Sequence, residues 1–258
     1  MYNKQKLLAH ITDKDERLAL SKLLDCAQSA EKKGQAFSGF YYPAVISKFI
    51  DIIRHSHRYI IYGGYQDAER VMAGFYSFNE INENMFPISA LKISYNNKFT
   101  KSLTHRDFLG SALALQIDRS KIGDILIFPD YAIMLAHAEI SGFIISSLEK
   151  VKNATVSVEL LEGSFEPPAN TNTAEKKYTV ASLRLDTVIS QVFNMSRAKS
   201  AEYIASEKVF INWALTTSTS KQVCGGDIIT VRGMGRIKLL EVMGKTKKDR
   251  ESIKARLY

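Results

Sequence analysis

Two cations stand where a helix is predicted to begin. Arg197 and Lys199 follow Ser196, a residue type that caps helix N-termini. Cations near the positive end of the helix dipole are unfavourable by roughly 0.3 to 1 kcal/mol each, and a bound anion reverses that cost. Arg184 precedes the neighbouring predicted helix and Lys208 precedes a predicted strand. Together with free backbone N–H groups, these cations favour a phosphate-binding site over an exposed pair without a ligand.

The positive charge of the chain is concentrated toward its C-terminal end. The 258 residues contain 35 Lys and Arg against 27 Asp and Glu, a net charge of +8. Residues 179–258 hold 14 of the cations and 7 of the acids, so they carry +7 of that charge. This asymmetry indicates a polyanionic partner, with a basic surface that serves only solubility as the alternative.

The hydrophobic pattern predicts a small module over residues 179–242. Leu185, Val188, Ile189 and Val192 have helical spacing, with Ser182 as the predicted N-cap. A second helix follows Ser196, and its predicted inner face is Ala198, Ala201, Ile204 and Ala205. Strands are predicted at 209–211, 228–231 and 237–242.

Five pieces of this module occur in the order and spacing of a known family. They are Leu-Arg-Leu-Asp at 183–186, Met-Ser-Arg-Ala-Lys at 195–199, Ile204, Val-Phe-Ile-Asn at 209–212 and Gly-Asp-Ile-Ile-Thr-Val at 226–231. Over about residues 180–240 the chain resembles an S4 RNA-binding domain. The resemblance implies that the two-helix face and the adjoining strand edge bind structured RNA. It carries this role to Arg184, Ser196, Arg197, Lys199, Lys208 and Asn212.

Three further residues complete the predicted RNA-binding set. Trp213, Lys221 and Arg232 belong to the same basic module. Trp213 has two interpretations that stay open, stacking on a base or covering the hairpin. The chain departs from the S4 pattern at Glu207, where glycine is usual, and the substitution puts the local turn geometry in doubt.

Upstream of a linker predicted at 163–178, the pattern indicates an α+β body. Residues 1–57 are predicted to form an N-terminal helical unit, with one helix ending near Gly34 and another starting at Pro43. Residues 58–162 are predicted to contain paired strands and then a β-α-β-β-α-β order, which is ferredoxin-like. Aromatic residues between 59 and 78 are predicted to pack in the core rather than to stack on bases. Residues 243–258 are predicted to be a basic tail.

The whole chain is similar to the YlmH group of bacterial S4 proteins. His-Arg-Asp-Phe-Leu-Gly at 105–110 and Ile-Gly-Asp-Ile at 122–125 carry this likeness in the middle segment. The resemblance implies a non-catalytic protein that needs no cofactor, binds structured rRNA and tRNA, and associates with the large ribosomal subunit. It further implies a role in the rescue of obstructed subunits.

Other functions find less support in the residues. His55 and His57 have no Cys or acidic residue close in the sequence that would complete a metal site. The tripeptide at 105–107 is kinase-like, but a kinase would need asparagine at position 112, where this chain has Ala112. Arg-Leu-Asp at 184–186 resembles the catalytic tripeptide of pseudouridine synthases, but its aspartate falls in a predicted helix, where a charge pair or cap is expected. An RNA-modifying enzyme and a protein-interaction scaffold stay as alternatives.

The composition also restricts the compartment. Cys26 and Cys224 are too few for a disulfide framework, which favours a reducing, cytoplasmic location. No apolar segment is long enough to span a membrane, so no membrane partner is expected. The sequence leaves the oligomeric state open.

Overall fold

A computed structural model of the chain describes residues 4–53, 57–66, 68–96, 103–163, 165–166, 175–212, 214–246 and 249–257. The fold is α+β, and the chain divides into two units, Met1–Pro167 and Pro168–Tyr258. The division falls inside the predicted linker.

The first unit begins with helices that pack on a three-stranded sheet. Its elements are α1 Lys4–Leu7, α2 Lys14–Lys33, β1 Gln35–Tyr41, α3 Pro43–Ile52, β2 Arg58–Tyr62 and β3 Val71–Tyr76. The side chain of Asp13 caps α2 by accepting from the Glu16 amide at 2.7 Å. Gly34, with φ of 89°, ends the helix as predicted.

The predicted helical unit over 1–57 has its helices, but it also contains β1, a strand that the prediction lacks. This strand pairs antiparallel with β3, which also pairs with β2, so the sheet order is β1-β3-β2. Aromatic residues explain the strand, because Phe40 is fully buried and Phe37 packs against Phe86. Core packing is confirmed for Phe75, whereas Phe78 is exposed.

The rest of the first unit is a five-stranded antiparallel sheet. Its elements are β4 Ile88–Tyr95, α4 His105–Ala114, β5 Ile122–Ile127, β6 Tyr131–His137, α5 Ala138–Ser147, β7 Lys150–Val151 and β8 Ala154–Leu160. The sheet order is β5-β6-β4-β8-β7. The predicted β-α-β-β-α-β order is confirmed, with β7 as an addition. Phe108 of α4 and Ile144 of α5 share one core with Leu91 of β4.

A buried carboxyl group joins the two sheets of the first unit. Asp124 of β5 accepts from the Tyr65 hydroxyl at 2.6 Å and from the Glu69 and Arg70 amides at 2.7 and 3.0 Å. The buried Arg70 guanidinium donates to the carbonyls of Ile122 and Phe40. Burial raises the pKa of Asp124 and lowers that of Arg70. These contacts, here called the Asp124 hub, hold the segment before β3 against β5.

The second unit is a six-stranded sheet with two helices on one face. Its elements are β9 Glu175–Val180, α6 Leu185–Val192, α7 Arg197–Ala205, β10 Val209–Ile211, β11 Ala214–Leu215, β12 Ile228–Val231, β13 Gly235–Lys245 and β14 Glu251–Leu257. The sheet order is β11-β10-β12-β13-β14-β9. The predicted helices and strands of residues 185–245 are all present.

Two predictions at the borders of this module are wrong. The predicted basic tail contains β14, and the predicted linker ends in β9, which pairs with it. Ile253 and Ala255 are fully buried and alternate with Lys254 and Arg256. The charge of this segment predicts a tail, but the alternation of buried and charged residues is typical of a strand with one buried face.

The helix details also differ from prediction. Helix α6 has Arg184 rather than Ser182 as its N-cap. No side chain caps the helix; instead, the amides of Leu185 and Asp186 donate to the carbonyls of Lys221 and Thr219. The buried residues of α7 are Ser200 and Ile204, whereas Ala198 and Ala205 are exposed. The Ser200 hydroxyl donates to the Asp186 carbonyl at 2.8 Å, so a hydrogen bond joins the two helices.

Candidate nucleic-acid interface

Two of the predicted RNA-binding arginines converge on one carboxylate. Arg184 donates through Nε and Nη2 to the two oxygens of Asp186 at 3.2 and 3.3 Å. Arg197 donates through Nη2 to Asp186 Oδ2 at 2.7 Å. The carboxylate is 7% exposed, while the Arg184 and Arg197 side chains are 35% and 58% exposed. The local charge pair predicted for Asp186 is therefore confirmed, and its two guanidinium partners lie at the surface.

The electrostatics of this cluster follow from its contacts. Burial opposes ionisation of Asp186, but hydrogen bonds from Arg184 and Arg197 and their positive charges outweigh it. The pKa of Asp186 is consequently below its ordinary value. Two guanidinium groups share one carboxylate, so the cluster keeps one net positive charge. Because Arg197 uses one terminal nitrogen here, its other donors stay available to a phosphate.

The start of α7 lies beside this cluster. Ser196 is the N-cap, as predicted, and its hydroxyl accepts from the Lys199 amide at 3.2 Å. The Lys199 side chain is exposed. The first-turn amides of Arg197 and Ala198 point toward the positive end of the helix dipole, where they are suited to an anion. The arrangement has the groups that the predicted phosphate contact requires, and the contact itself stays a prediction.

The other end of α7 has a left-handed residue. Glu207 has φ of 57°, the Glu207 amide donates to the Ile204 carbonyl and the Lys208 amide donates to the Tyr203 carbonyl. These two bonds form a Schellman motif. The turn geometry that the departure at Glu207 put in doubt is therefore kept, with glutamate in a conformation that costs roughly 1 kcal/mol relative to glycine.

Lys208 and Arg232 form a second group. The Arg232 amide donates to the Lys208 carbonyl at 2.9 Å. Lys208 Nζ lies 5.5 Å from the centre of the Tyr203 ring, and Arg232 Cζ lies 4.6 Å from the centre of the Phe210 ring. Both distances are typical of cation–π contacts. Lys199 and Tyr203 are four residues apart on α7, so one helix face connects the two groups.

The remaining predicted residues have different surroundings. Asn212 has φ of 48°, and its side chain donates to Asp227 and accepts from the Ile228 amide, each at 2.9 Å. It therefore fixes the turn between two strands, and an RNA contact there stays a prediction. Lys221 is exposed, and its carbonyl caps α6. Trp213 and His55 lie outside the described residues.

Sequence reasoning missed the residues that position the cations. The sequence predicts a charge pair or cap at Asp186, but it does not name Arg184 and Arg197 as the two partners. Tyr203 and Phe210 were not selected as partners of Lys208 and Arg232. The signal available was alternation in β10, where Phe210 stands between two buried aliphatic residues.

The described residues offer neither a metal site nor a membrane span. Within the described ranges, no group of three or more His, Cys, Asp or Glu side chains could hold a metal ion. In the same part of the chain, the helices are too short or too polar to cross a membrane.

Comparisons with known proteins identify the family. A family model described as "Putative RNA-binding domain in YlmH" matches residues 82–164, which span β4 to β8 of the first unit. The ribosome-associated protein quality control protein P2 of Bacillus subtilis (strain 168) is 32% identical over 189 residues, 73% of each chain. A solved structure, cell division protein ylmH from Streptococcus pneumoniae, is 24% identical with a TM-score of 0.48, covering 58% of this chain and 92% of that chain. From the family match and the Bacillus relative, the chain belongs to the YlmH family.

Proposed function

We propose that this protein is a non-catalytic, ribosome-associated RNA-binding protein of the cytoplasm. It binds structured rRNA or tRNA through the face formed by α6 and α7, and its site is on the large ribosomal subunit. It acts there when a subunit is obstructed, and it requires no cofactor. In this proposal the second unit is an S4 domain, and the β4 to β8 sheet is a ferredoxin-like domain.

The observation that carries the proposal is the geometry around Asp186. The carboxylate binds two guanidinium groups at the surface, and one of them belongs to Arg197, the first residue of α7. Arginines fixed in advance lose less side-chain entropy when they bind phosphate than freely moving ones. Lys199 adds a further cation in the first turn of the helix. A surface of this kind binds RNA through its phosphates and reads its shape.

The comparisons support the partner. The Bacillus relative is named as a ribosome-associated quality control protein. The matched family description assigns RNA binding to the segment 82–164, so we infer that the first unit also contacts RNA. Phe128 and Tyr131 stack at 4.7 Å in this segment, and Lys92 Nζ lies 5.7 Å from the Tyr131 ring centre. Aromatic and cationic groups of this kind are suited to contacts with bases and phosphates.

The partner is tested by sedimentation. Purified protein is centrifuged with small subunits, large subunits, 70S particles and tRNA at several salt concentrations. We expect saturable binding to large subunits and to tRNA that weakens as salt rises, because phosphate contacts release counterions. Equal binding to both subunits, or no binding to any particle, would contradict the proposed partner.

The absence of catalysis is a separate proposal with its own test. Ribosomal RNA and tRNA are incubated with the protein and then analysed by mass spectrometry. We expect no change in nucleoside composition or fragment length. A modification or cleavage that increases with protein concentration and disappears after heat inactivation would establish the alternative of an RNA-modifying or processing enzyme.

A further inference from the structure

The sheet of the second unit has two faces of different character. Helices α6 and α7 pack on one face, whose core includes Val209, Ile229, Ile237 and Ile253. Because side chains alternate along a strand, the residues between these point to the opposite face, here called the outer face. Its polar and aromatic residues in the described strands include Phe210, Thr230, Arg236, Lys238, Lys254, Arg256 and Lys177.

Like charges lie directly opposite each other on the outer face. Lys238 pairs in register with Arg256, and Lys254 pairs in register with Lys177. Like charges at such positions destabilise a sheet. Glu175 relieves part of this repulsion, because it forms ion pairs with Lys254 and Arg256.

Cations still outnumber acids among the residues named on this face. Glu241, the register partner of Lys254, is the acid there besides Glu175. A surface on which cations outnumber acids attracts the phosphates of a polyanion.

One end of the outer face adds a stacking surface. The Arg232 guanidinium lies over the Phe210 ring, and Phe210 pairs in register with the exposed Leu215. Beside them, Arg236 Nε donates to the Thr230 hydroxyl at 3.2 Å. Nucleobases stack on both aromatic rings and guanidinium planes. The Arg232–Phe210 contact therefore offers an unpaired base a place to stack beside the cations of the sheet.

We propose that the outer face binds a single-stranded RNA segment. Its bases stack at Phe210 and Arg232, and its phosphates follow the cations of β13, β14 and β9. The five strands from β10 to β9 span roughly 19 Å. A stacking group joined to a row of cations is typical of surfaces that bind single strands. The inference takes RNA as the ligand class from the proposed function, but it concerns the face opposite α6 and α7.

The test compares two variants of equal charge. The outer-face variant is Lys177→Gln/Arg236→Gln/Lys238→Gln, and the control is Lys14→Gln/Lys32→Gln/Lys33→Gln, whose lysines are exposed on α2. Binding of a labelled single-stranded oligouridylate of about 12 nucleotides is followed by fluorescence anisotropy at several salt concentrations. We expect the outer-face variant to bind about tenfold more weakly, with a salt slope lower by about two. The control should bind like the wild type.

Two further measurements separate binding from folding. Without RNA, circular dichroism should show that the outer-face variant is folded, because the loss of two like-charge pairs acts against the loss of the Arg236–Thr230 hydrogen bond. Phe210→Leu should weaken oligouridylate binding about tenfold at constant charge. Equal affinity of the outer-face variant and the control would overturn the proposal.

The failure of the inference is distinguishable from that of the proposed function. Wild-type protein that binds ribosomal particles and tRNA, but not oligouridylate, would overturn the outer-face proposal alone. Wild-type protein that binds none of the three would overturn the proposed function as well.

Discussion

The two units use the same pair of residue types for opposite purposes. In the Asp124 hub, carboxyl and arginine are both buried, and their partners are the Tyr65 hydroxyl and nearby backbone groups. In the Asp186 cluster only the carboxylate is buried, and its partners are two arginines at the surface. The burial of the arginines thus decides whether a carboxylate and its arginines stabilise the fold or place positive charge at the surface. We regard the first as structural and the second as the core of an RNA site.

The largest effect is expected when the hub is broken. Asp124→Ala leaves the Tyr65 hydroxyl and the Glu69 and Arg70 amides without their acceptor. We expect the free energy of unfolding of the first unit to fall by roughly 3 to 5 kcal/mol. Urea unfolding followed by far-UV circular dichroism measures this loss.

Trp213, the single tryptophan, belongs to the sequence of the second unit and reports on it by fluorescence. Asp124→Ala should shift the circular dichroism transition, with the fluorescence transition followed beside it; an unchanged circular dichroism transition would contradict the structural role of the hub.

A smaller effect is expected at Asp186, and its sign is informative. Asp186→Asn raises the net charge by one, so charge counting alone predicts tighter RNA binding. We expect the opposite, a fall in tRNA affinity of about tenfold, because Arg184 and Arg197 lose their shared charged acceptor. Anisotropy titrations at fixed salt test this, with Asp15→Asn, an exposed acid of α2, as a control of equal charge. Tighter binding by Asp186→Asn would contradict the proposal that Asp186 positions Arg184 and Arg197 for RNA.

The pH dependence of the two carboxyl groups should differ in sign. The pKa of Asp186 is lowered in the folded protein, so its contribution to stability is present above its ordinary pKa of 3.8 and is lost as pH falls through the folded value. Burial raises the pKa of Asp124, so the pH-dependent part of its contribution is present below its ordinary pKa and is lost as pH rises through the folded value, while its hydrogen bonds still support the fold. Melting curves of Asp186→Asn between about pH 2 and 5 should lack part of the acid loss that the wild type shows. Identical acid profiles would contradict this assignment.

The smallest effect is expected at the end of α7. Glu207→Gly removes a side chain from a left-handed position and should stabilise the second unit by about 1 kcal/mol. Asn194 also has a positive φ, 53°, but asparagine tolerates this conformation, so Asn194→Gly should change stability less. Thermal melting measures both. A destabilised Glu207→Gly would show that the glutamate side chain contributes more than its backbone strain costs.

Much of the fold could be predicted from local patterns. Helices α2, α3, α6 and α7 follow from caps and apolar spacing, because both are properties of neighbouring residues. Strands β1 and β9 did not, because their pairing partners lie far away in the sequence. The many basic residues of 245–257 predict a tail, although Ile253 and Ala255 alternate with charged residues in the pattern of a strand.

The candidate site could be predicted in its residues but not in its contacts. Arg197 and Lys199 were selected because cations at a helix start are unfavourable without an anion. That Arg184 and Arg197 share Asp186 depends on how α6 and α7 pack, which no local pattern gives. The same holds for Arg232 on Phe210, since the contact joins a turn to a strand of distant sequence.

The most direct test of the account removes the cations of the two-helix face. Arg184→Ala/Arg197→Ala/Lys199→Ala is compared with Lys14→Gln/Lys32→Gln/Lys33→Gln, which loses the same charge from α2. Both are titrated against large ribosomal subunits and tRNA at several salt concentrations, after circular dichroism has shown that they are folded. We predict that the first variant loses tRNA binding by at least about tenfold with a reduced salt slope, while the second binds like the wild type. Equal binding by the two folded variants would contradict the assignment of RNA binding to this face.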